Sequence, residues 1–201
     1  MKRENKTNAA RLLDRAGIAY ELNTYPVDEN DLSAIHVAES LGVDAGALYK
    51  TLVLRGDRTG IFVCVVPGDA EVDLKKAARA SGNKKADLVP VKELLPLTGY
   101  VRGGCSPIGM KRRYPTFIDA GAGRRERIYI SAGVRGVQIV IAPADLMAFA
   151  EAVPADLIIE GIKIWKAGWS KRWNVSKRGV TVRRRCSLLM PTVSGSTRGR
   201  P

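Results

Sequence analysis

The sequence is poor in the residues on which several large classes of protein depend. It has one histidine, His36, and three cysteines, Cys64, Cys105 and Cys186, with no Cys-x-x-Cys pair. Neither a disulfide framework nor a zinc knuckle is indicated, and a Ser-His-Asp or Cys-His arrangement has only His36 to use as its base. The Gly-x-Ser-x-Gly elbow and the Walker A loop are both missing, and no His/Cys/Asp cluster has metal-ligand spacing, so no metal or cofactor is expected. No apolar run approaches the roughly 18 residues of a membrane span, and the charged start Met1-Lys2-Arg3-Glu4 leads into no apolar signal core. The expectation is a soluble, cytoplasmic protein with no membrane contact.

What is present begins with an uneven charge. The net charge is +13, yet residues 1–159 hold 22 Lys/Arg against 19 Asp/Glu, while residues 160–201 hold 11 against one. An apolar fraction of 45% in 201 residues fits one domain of ordinary globular composition. Residues 1–159 are therefore read as the domain. Residues 160–201 are read as a flexible basic tail, with Trp165, Trp169 and Trp173 spaced by four and too few apolar residues for a core of its own. Such a tail suits contact with RNA phosphates and bases or with an anionic membrane surface, of which RNA is the better fit, and it reads equally as an extension with no role of its own.

Periodicity predicts a helix over Ala9–Ala16 closed by Gly17, then a strand from Ile18 to Tyr25. Ser33 is placed to cap a helix from Ala34 to Leu41 that ends at Gly42. Tyr49–Arg55 and Ile61–Val66 read as a hairpin with a five-residue loop, and Asp73 as the cap of a basic helix over Leu74–Ser81. Asp87–Val89 reads as a short strand, Val91–Leu95 as a short helix, and Thr98–Pro107 as a glycine-rich strand and loop. Strands are predicted at Thr116–Asp119, Arg127–Ser131 and Val137–Ile141, and a helix starting at Pro143. Strands in runs with interspersed helices point to a mixed-sheet α+β domain.

Two stretches carry potential chemistry. Gly99–Gly109 has four glycines in eleven residues, Gly99, Gly103, Gly104 and Gly109, so its backbone N–H groups can approach an anion or a developing oxyanion. The same pattern also fits a bulged strand and a tight turn. Cys105 in this loop reads either as a nucleophile or as a small buried thiol. Lys50 lies in the β-rich run Tyr49-Lys50-Thr51-Leu52, where alternation gives it the face of Leu52 and Leu54. It is either an edge lysine in solvent or a half-buried ammonium that needs a partner or a ligand. The clusters Lys75-Lys76, Lys84-Lys85 and Lys111-Arg112-Arg113 read singly as solvated faces and together as a route for a phosphate backbone.

Taken in order, Asn23-Thr24-Tyr25, Tyr49-Lys50-Thr51-Leu52, Asp73-Leu74-Lys75-Lys76-Ala77, Thr98-Gly99-Tyr100 with Gly103-Gly104-x-Ser106-Pro107-x-Gly109, and Ile128-Tyr129-Ile130-Ser131-Ala132-Gly133 resemble the YbaK family. This family comprises bacterial Cys-tRNA(Pro) deacylases similar to the editing domain of bacterial prolyl-tRNA synthetases. The resemblance covers about residues 5–155. It implies a mixed, partly closed, barrel-like sheet with flanking helices and a pocket for the charged 3′ end of tRNA. It implies that Lys50 is the essential lysine and that Gly103 and Gly104 act with it. Tyr25, Thr51, Ser106 and Ser131 are implied as substrate contacts, with charged tRNA, and a prolyl-tRNA synthetase alongside it, as partners. Gln138 stands where some relatives carry Asp, which bears on the choice of substrate. The resemblance further implies attack by the substrate's own thiol, so no protein nucleophile is required. Two other readings stay open: a deacylase for Ala- or Ser-charged tRNA that uses water, and a binding module without catalysis.

Overall fold

The computed structural model describes residues 6–159. The predicted tail lies outside them. Helix α1 (Asn8–Ala16) starts at Thr7, whose hydroxyl accepts from the Ala10 N–H, and stops at Gly17 in the left-handed conformation. Strand β1 (Glu21–Thr24) is shorter than the predicted segment. Helix α2 (Ala34–Leu41) has the predicted bounds, capped by Ser33 through the His36 N–H and ended by Gly42 at φ +67°. Strands β2 (Leu48–Gly56) and β3 (Gly60–Pro67) pair in register from Tyr49↔Pro67 to Gly56↔Gly60. Gly56 and Gly60 are therefore part of the ladder, and only Asp57, Arg58 and Thr59 form the loop.

Helix α3 (Leu74–Ala80) is capped by Asp73, which accepts from the Lys75 and Lys76 N–H groups. Strand β4 (Ala86–Leu88) follows, and α4 (Val91–Thr98) runs three residues beyond its predicted end, through Pro96. Near its C-terminal end the carbonyl oxygens of Leu94, Leu95 and Leu97 accept from Thr98 Oγ1, Lys111 Nζ and Tyr114 Oη. Residues 99–107, predicted as part strand, form no strand. Thr98 belongs to α4, and the glycines that follow turn the chain instead of extending it. The remaining elements are β5 (Thr116–Asp119), a 3-10 turn (Ala120–Arg124), β6 (Ile128–Ser131), β7 (Val137–Ile141), α5 (Pro143–Ala150) and β8 (Val153–Ala155). The sequence pattern gives no sign of β8.

The eight strands form one mixed sheet in the order β1-β7-β6-β2-β3-β5-β8, with β4 on β2. This is the α+β architecture of mixed sheet and flanking helices. The strand path is open, with β1 and β8 at its ends, and not partly closed into the barrel-like sheet that the resemblance implied, because these two end strands do not pair with each other. On one face Tyr49, Val63, Val65, Ile118, Ile130 and Ile139 meet Leu13 of α1 and Leu146 of α5 in the main core. On the other face Leu54, Phe62, Cys64 and Val66 pack on Ala77 and Ala78 of α3, and Leu48 packs on Val37 and Ala38 of α2. Burial of each large apolar side chain of this kind contributes about 1.5–3 kcal/mol, so both faces fix their helices. No helix among the described residues is long and apolar enough to cross a membrane.

Candidate functional site

Alternation along β2 puts Leu48, Lys50, Leu52 and Leu54 on the face away from the main core. Lys50 thus sits at the seam between the two smaller clusters, and it is half-buried. Its ammonium donates to the Gly68 carbonyl oxygen at 3.3 Å. Burial pulls its pKa below 10.5, and the nearby carboxylates of Glu71 and Asp69 work against that pull. The lysine is the half-buried cation of the two sequence alternatives, held among a carbonyl and two acids.

The sheet is interrupted beside it. On its β3 side β2 is paired throughout, but on the other side it pairs with β6 only through Leu48↔Tyr129 and Tyr49↔Ile130. Pairing there resumes with β4 at Leu54, just after the Val89 N–H donates to the Val53 carbonyl oxygen. No ladder covers residues 50–52 on that side. Two parallel strands that part after two residue pairs leave a cleft, and Lys50 and Ser131 are the first residues past the point of divergence.

From that point a polar row crosses the neighbouring strands, because Ser131 is registered with Gln138 and Gln138 with Asn23. Ser131 and Gln138 are buried, and Ser131 Oγ accepts from the Gly133 N–H at 3.3 Å. Gln138 Oε1 is buried with no hydrogen-bond partner. Thr51 Oγ1 is the other such atom among the described side chains, and alternation turns it to the main-core face, opposite Lys50. An orphaned polar atom inside a protein costs about 1–3 kcal/mol, so Gln138 Oε1, on the Lys50 face of the sheet, stands as an acceptor with no donor among the described residues, while Thr51 Oγ1 lies on the opposite face.

The glycine loop closes one end of this region. Gly103 has φ +83°, and a Cβ there would meet Leu32 and the Arg135 side chain at 3.4 Å. A Cβ on Gly104 would stand 3.3 Å from the backbone of Val134 and Arg135, in the turn that follows Ser131. Arg135 fastens the two segments, donating from Nε to the Arg102 carbonyl oxygen at 3.0 Å and pairing with Glu29. Tyr25 joins them through its N–H, which donates to the Gly136 carbonyl oxygen at 2.9 Å. Tyr25, Ser131, Gly103 and Gly104 therefore converge around the turn between β6 and β7.

Ser106 is fully buried, and its hydroxyl accepts from the Ile108 N–H at 3.2 Å, which shapes the loop from within. Cys105 is only partly buried, yet desolvation pushes its thiol up to about 12, which disfavours the nucleophile of the two alternatives. A separate cavity of about 480 Å³ lies behind the far end of the loop, between Ile108, Gly109, Tyr114 and Phe149, and Lys50 takes no part in it. Gly68, Asp69 and Glu71 are not among the residues the sequence singles out. Extending the β2–β3 register two residues past Val66, the partner of Lys50, reaches Gly68, and Asp69 and Glu71 follow in the same loop.

The chain belongs to the aminoacyl-tRNA editing domain family, whose model matches residues 29–149. Over 156 residues it is 45% identical to an Enterococcus faecalis protein named "Putative Cys-tRNA(Pro)/Cys-tRNA(Cys) deacylase EbsC", covering 78% of this chain and 95% of that one. It is 32% identical over 107 residues to the Streptomyces coelicolor proline–tRNA ligase, covering 47% of this chain and 18% of the ligase. A solved structure described as "a putative trans-editing enzyme for prolyl tRNA synthetase" superposes with a TM-score of 0.67 at 25% identity, covering 76% of this chain and 98% of that one.

Proposed function

We propose that the protein is a trans-acting deacylase that clears cysteine from mischarged tRNA(Pro), with the ester held in the cleft between β2 and β6. The observation that carries this reading is the half-buried Lys50 ammonium at the unpaired stretch of β2. Likeness to the Enterococcus protein supports the substrate class, and likeness to part of a proline–tRNA ligase supports the prolyl system and a synthetase working alongside.

In the proposed mechanism Lys50 holds the phosphate or ribose of the terminal adenosine, and backbone N–H groups of residues 103–109 polarise the ester carbonyl. Tyr25 and Ser131 line the pocket, Ser106 shapes the loop from within, and Thr51 stands behind β2 on the main-core face. One well-placed oxyanion donor lowers a barrier by about 3–4 kcal/mol, and positioning adds to that. The thiol of the substrate cysteine then attacks its own carbonyl carbon. A carbon–sulfur bond forms, the bond to the ribose oxygen breaks, and the thiol proton ends on that oxygen. Such a step needs no base from His36 and no nucleophile from Cys105.

The test is release of cysteine, alanine and serine from charged tRNA(Pro) by wild type and Lys50→Ala. Cysteine is expected to leave fastest, and Lys50→Ala to be inactive. Normal cysteine release by Lys50→Ala would sink the assignment, and faster alanine or serine release would reassign the substrate to the water-dependent chemistry.

A further inference from the structure

Several cations of the described surface are already engaged. Lys6 pairs with Asp14, Arg55 with Glu93, Lys76 with Asp156, Arg125 with Asp44 and Arg127 with Glu21. Five exposed ones, Lys75, Arg79, Lys84, Lys85 and Arg58, form no ion pair with a described residue, and they fall together in the fold. Helix α3 presses Ala77 and Ala78 into the cluster on the Lys50 face of the sheet, so Lys75 and Arg79, one turn apart, share its outer side. The chain then turns at Gly82 into Lys84 and Lys85, whose N–H groups both donate to Asp57 Oδ1 in the hairpin loop beside Arg58.

This arrangement is held rigidly. Asn83 is buried between α3 and the loop, and its Oδ1 accepts from the Arg58 and Thr59 N–H groups, each at 2.9 Å. Its Nδ2 donates to Thr59 Oγ1 at 2.7 Å and to Ser81 Oγ at 2.8 Å. Four acids lie in or beside the group: Asp57 and Asp73 turn their carboxylates onto backbone N–H groups, Asp156 pairs with Lys76, and Asp87 is exposed on β4 two residues after Lys85. Positive charge therefore dominates the outward side.

We propose that the acceptor stem of the RNA substrate lies along this track, which leads from the Lys50 end of β2, past Lys75 and Arg79, to Lys84, Lys85 and Arg58 at the hairpin tip. The inference rests on the deacylase reading and adds where the duplex part of the substrate sits. The tip lies six residues along β2 from Lys50, or about 20 Å at ~3.3 Å per residue, a span that suits a short unpaired 3′ tail between the ester and the first paired phosphates. Fixed cations at intervals, with no aromatic side chain among them, suit a phosphate backbone read by charge and not by base.

The test uses the full chain, so that the basic tail contributes equally throughout. Binding of an uncharged acceptor-stem hairpin ending in CCA is measured against salt for wild type and for the combined variant Lys75→Gln, Arg79→Gln, Lys84→Gln, Lys85→Gln. A control variant, Arg11→Gln, Arg15→Gln, Lys92→Gln, Arg124→Gln, removes the same charge elsewhere. The track variant is expected to bind at least about tenfold more weakly near 0.15 M salt, with a log–log slope reduced by about 0.7–0.9 for each phosphate it no longer neutralises, while the control stays within about one phosphate of wild type. Its deacylation is expected to keep kcat and raise KM. Equal slopes for track and control variants overturn the proposal, as does a fall in kcat with KM unchanged. Loss of binding to phosphatidylserine vesicles with RNA binding intact also overturns it, because the track would then serve a lipid surface. Should the combined variant melt early, Lys75→Gln and Arg79→Gln singly carry the same slope test. Failure of wild type to release any amino acid from charged tRNA would count against the deacylase reading alone, since the hairpin titration needs no ester.

Discussion

The Lys50 ammonium donates to the Gly68 carbonyl oxygen at 3.3 Å, tying the unpaired stretch of β2 to the loop that leaves β3. Burial holds this lysine's pKa below 10.5, so between the lowered value and 10.5 the unfolded chain binds a proton that the folded chain releases. Stability from this group therefore rises with pH across that window, and below it the whole cost of the buried charge is present. Lys50→Met is expected to raise Tm at pH 7 by about 2–4 °C, the shift that ~1 kcal/mol produces at this size, and to lose deacylation. The gain in Tm over wild type should shrink as the pH climbs toward 10.5. Melting curves at pH 7 and pH 10 check it, and a lower Tm at pH 7 would show that Gly68, Asp69 and Glu71 more than offset the burial.

Gly104→Ala should separate catalysis from folding. The added Cβ meets the Val134 and Arg135 backbone at 3.3 Å, so the loop must move by a few tenths of an ångström away from the turn after Ser131. Loss of one aligned donor predicts a fall in kcat of about 10²–10³, with stability reduced by only about 1 kcal/mol. Single-turnover deacylation and a denaturant melt together decide it. A wild-type rate would remove the loop from the oxyanion role.

Cys105 is expected to be inert. Burial raises both its thiol and that of Cys64 to about 12, leaving almost no thiolate at neutral pH. Peptide mapping after iodoacetamide at pH 8 should find both unmodified in the folded protein, and Cys105→Ala should deacylate within about twofold of wild type. Rapid alkylation of Cys105 would revive it as a nucleophile.

Asn83→Ala should cost stability without touching the cleft. It strands the Arg58 and Thr59 N–H groups and breaks the bonds to Thr59 and Ser81. Arg58 and Thr59 are exposed, so water satisfies part of what is stranded, and a loss of roughly 1–2 kcal/mol is expected by urea melt. Below the melting transition kcat should be retained, because Asn83 lies at the other end of β2 from Lys50.

Gln138 Oε1 is buried without a partner, so Gln138→Met, of similar length, is expected to raise Tm by a few degrees. If the amide faces the amino acid in the cleft, the same change should alter the ratio of cysteine to alanine release by about tenfold. An unchanged ratio would take Gln138 out of substrate choice.

Local signals read well because they are local. Ser33 with Gly42, and Asp73 at the start of α3, are caps whose bonds span only a few residues. The hairpin is legible in the right place but with too long a loop, since Gly56 and Gly60 belong to the ladder through pairing that composition does not reveal. The glycine segment reads as part strand, although its role is to bring Gly103 and Gly104 against Val134 and Arg135, thirty residues on. The cleft itself is not legible from spacing. It arises from the parallel pairing of Leu48 and Tyr49 with Tyr129 and Ile130, across eighty residues that no window of the sequence contains. Lys50 stands out by its odd place among apolar neighbours, and the ordered motifs decide between its two readings.

The interruption along β2 has a consequence for self-association. Backbone left open beside residues 50–52 is a template onto which an extended segment of another molecule can add as a strand, and a charged side chain at such an edge is a common guard against it. The Lys50 ammonium, half-buried beside that open stretch, sets a charge in the way of such an added strand. A methionine there would melt later and aggregate sooner.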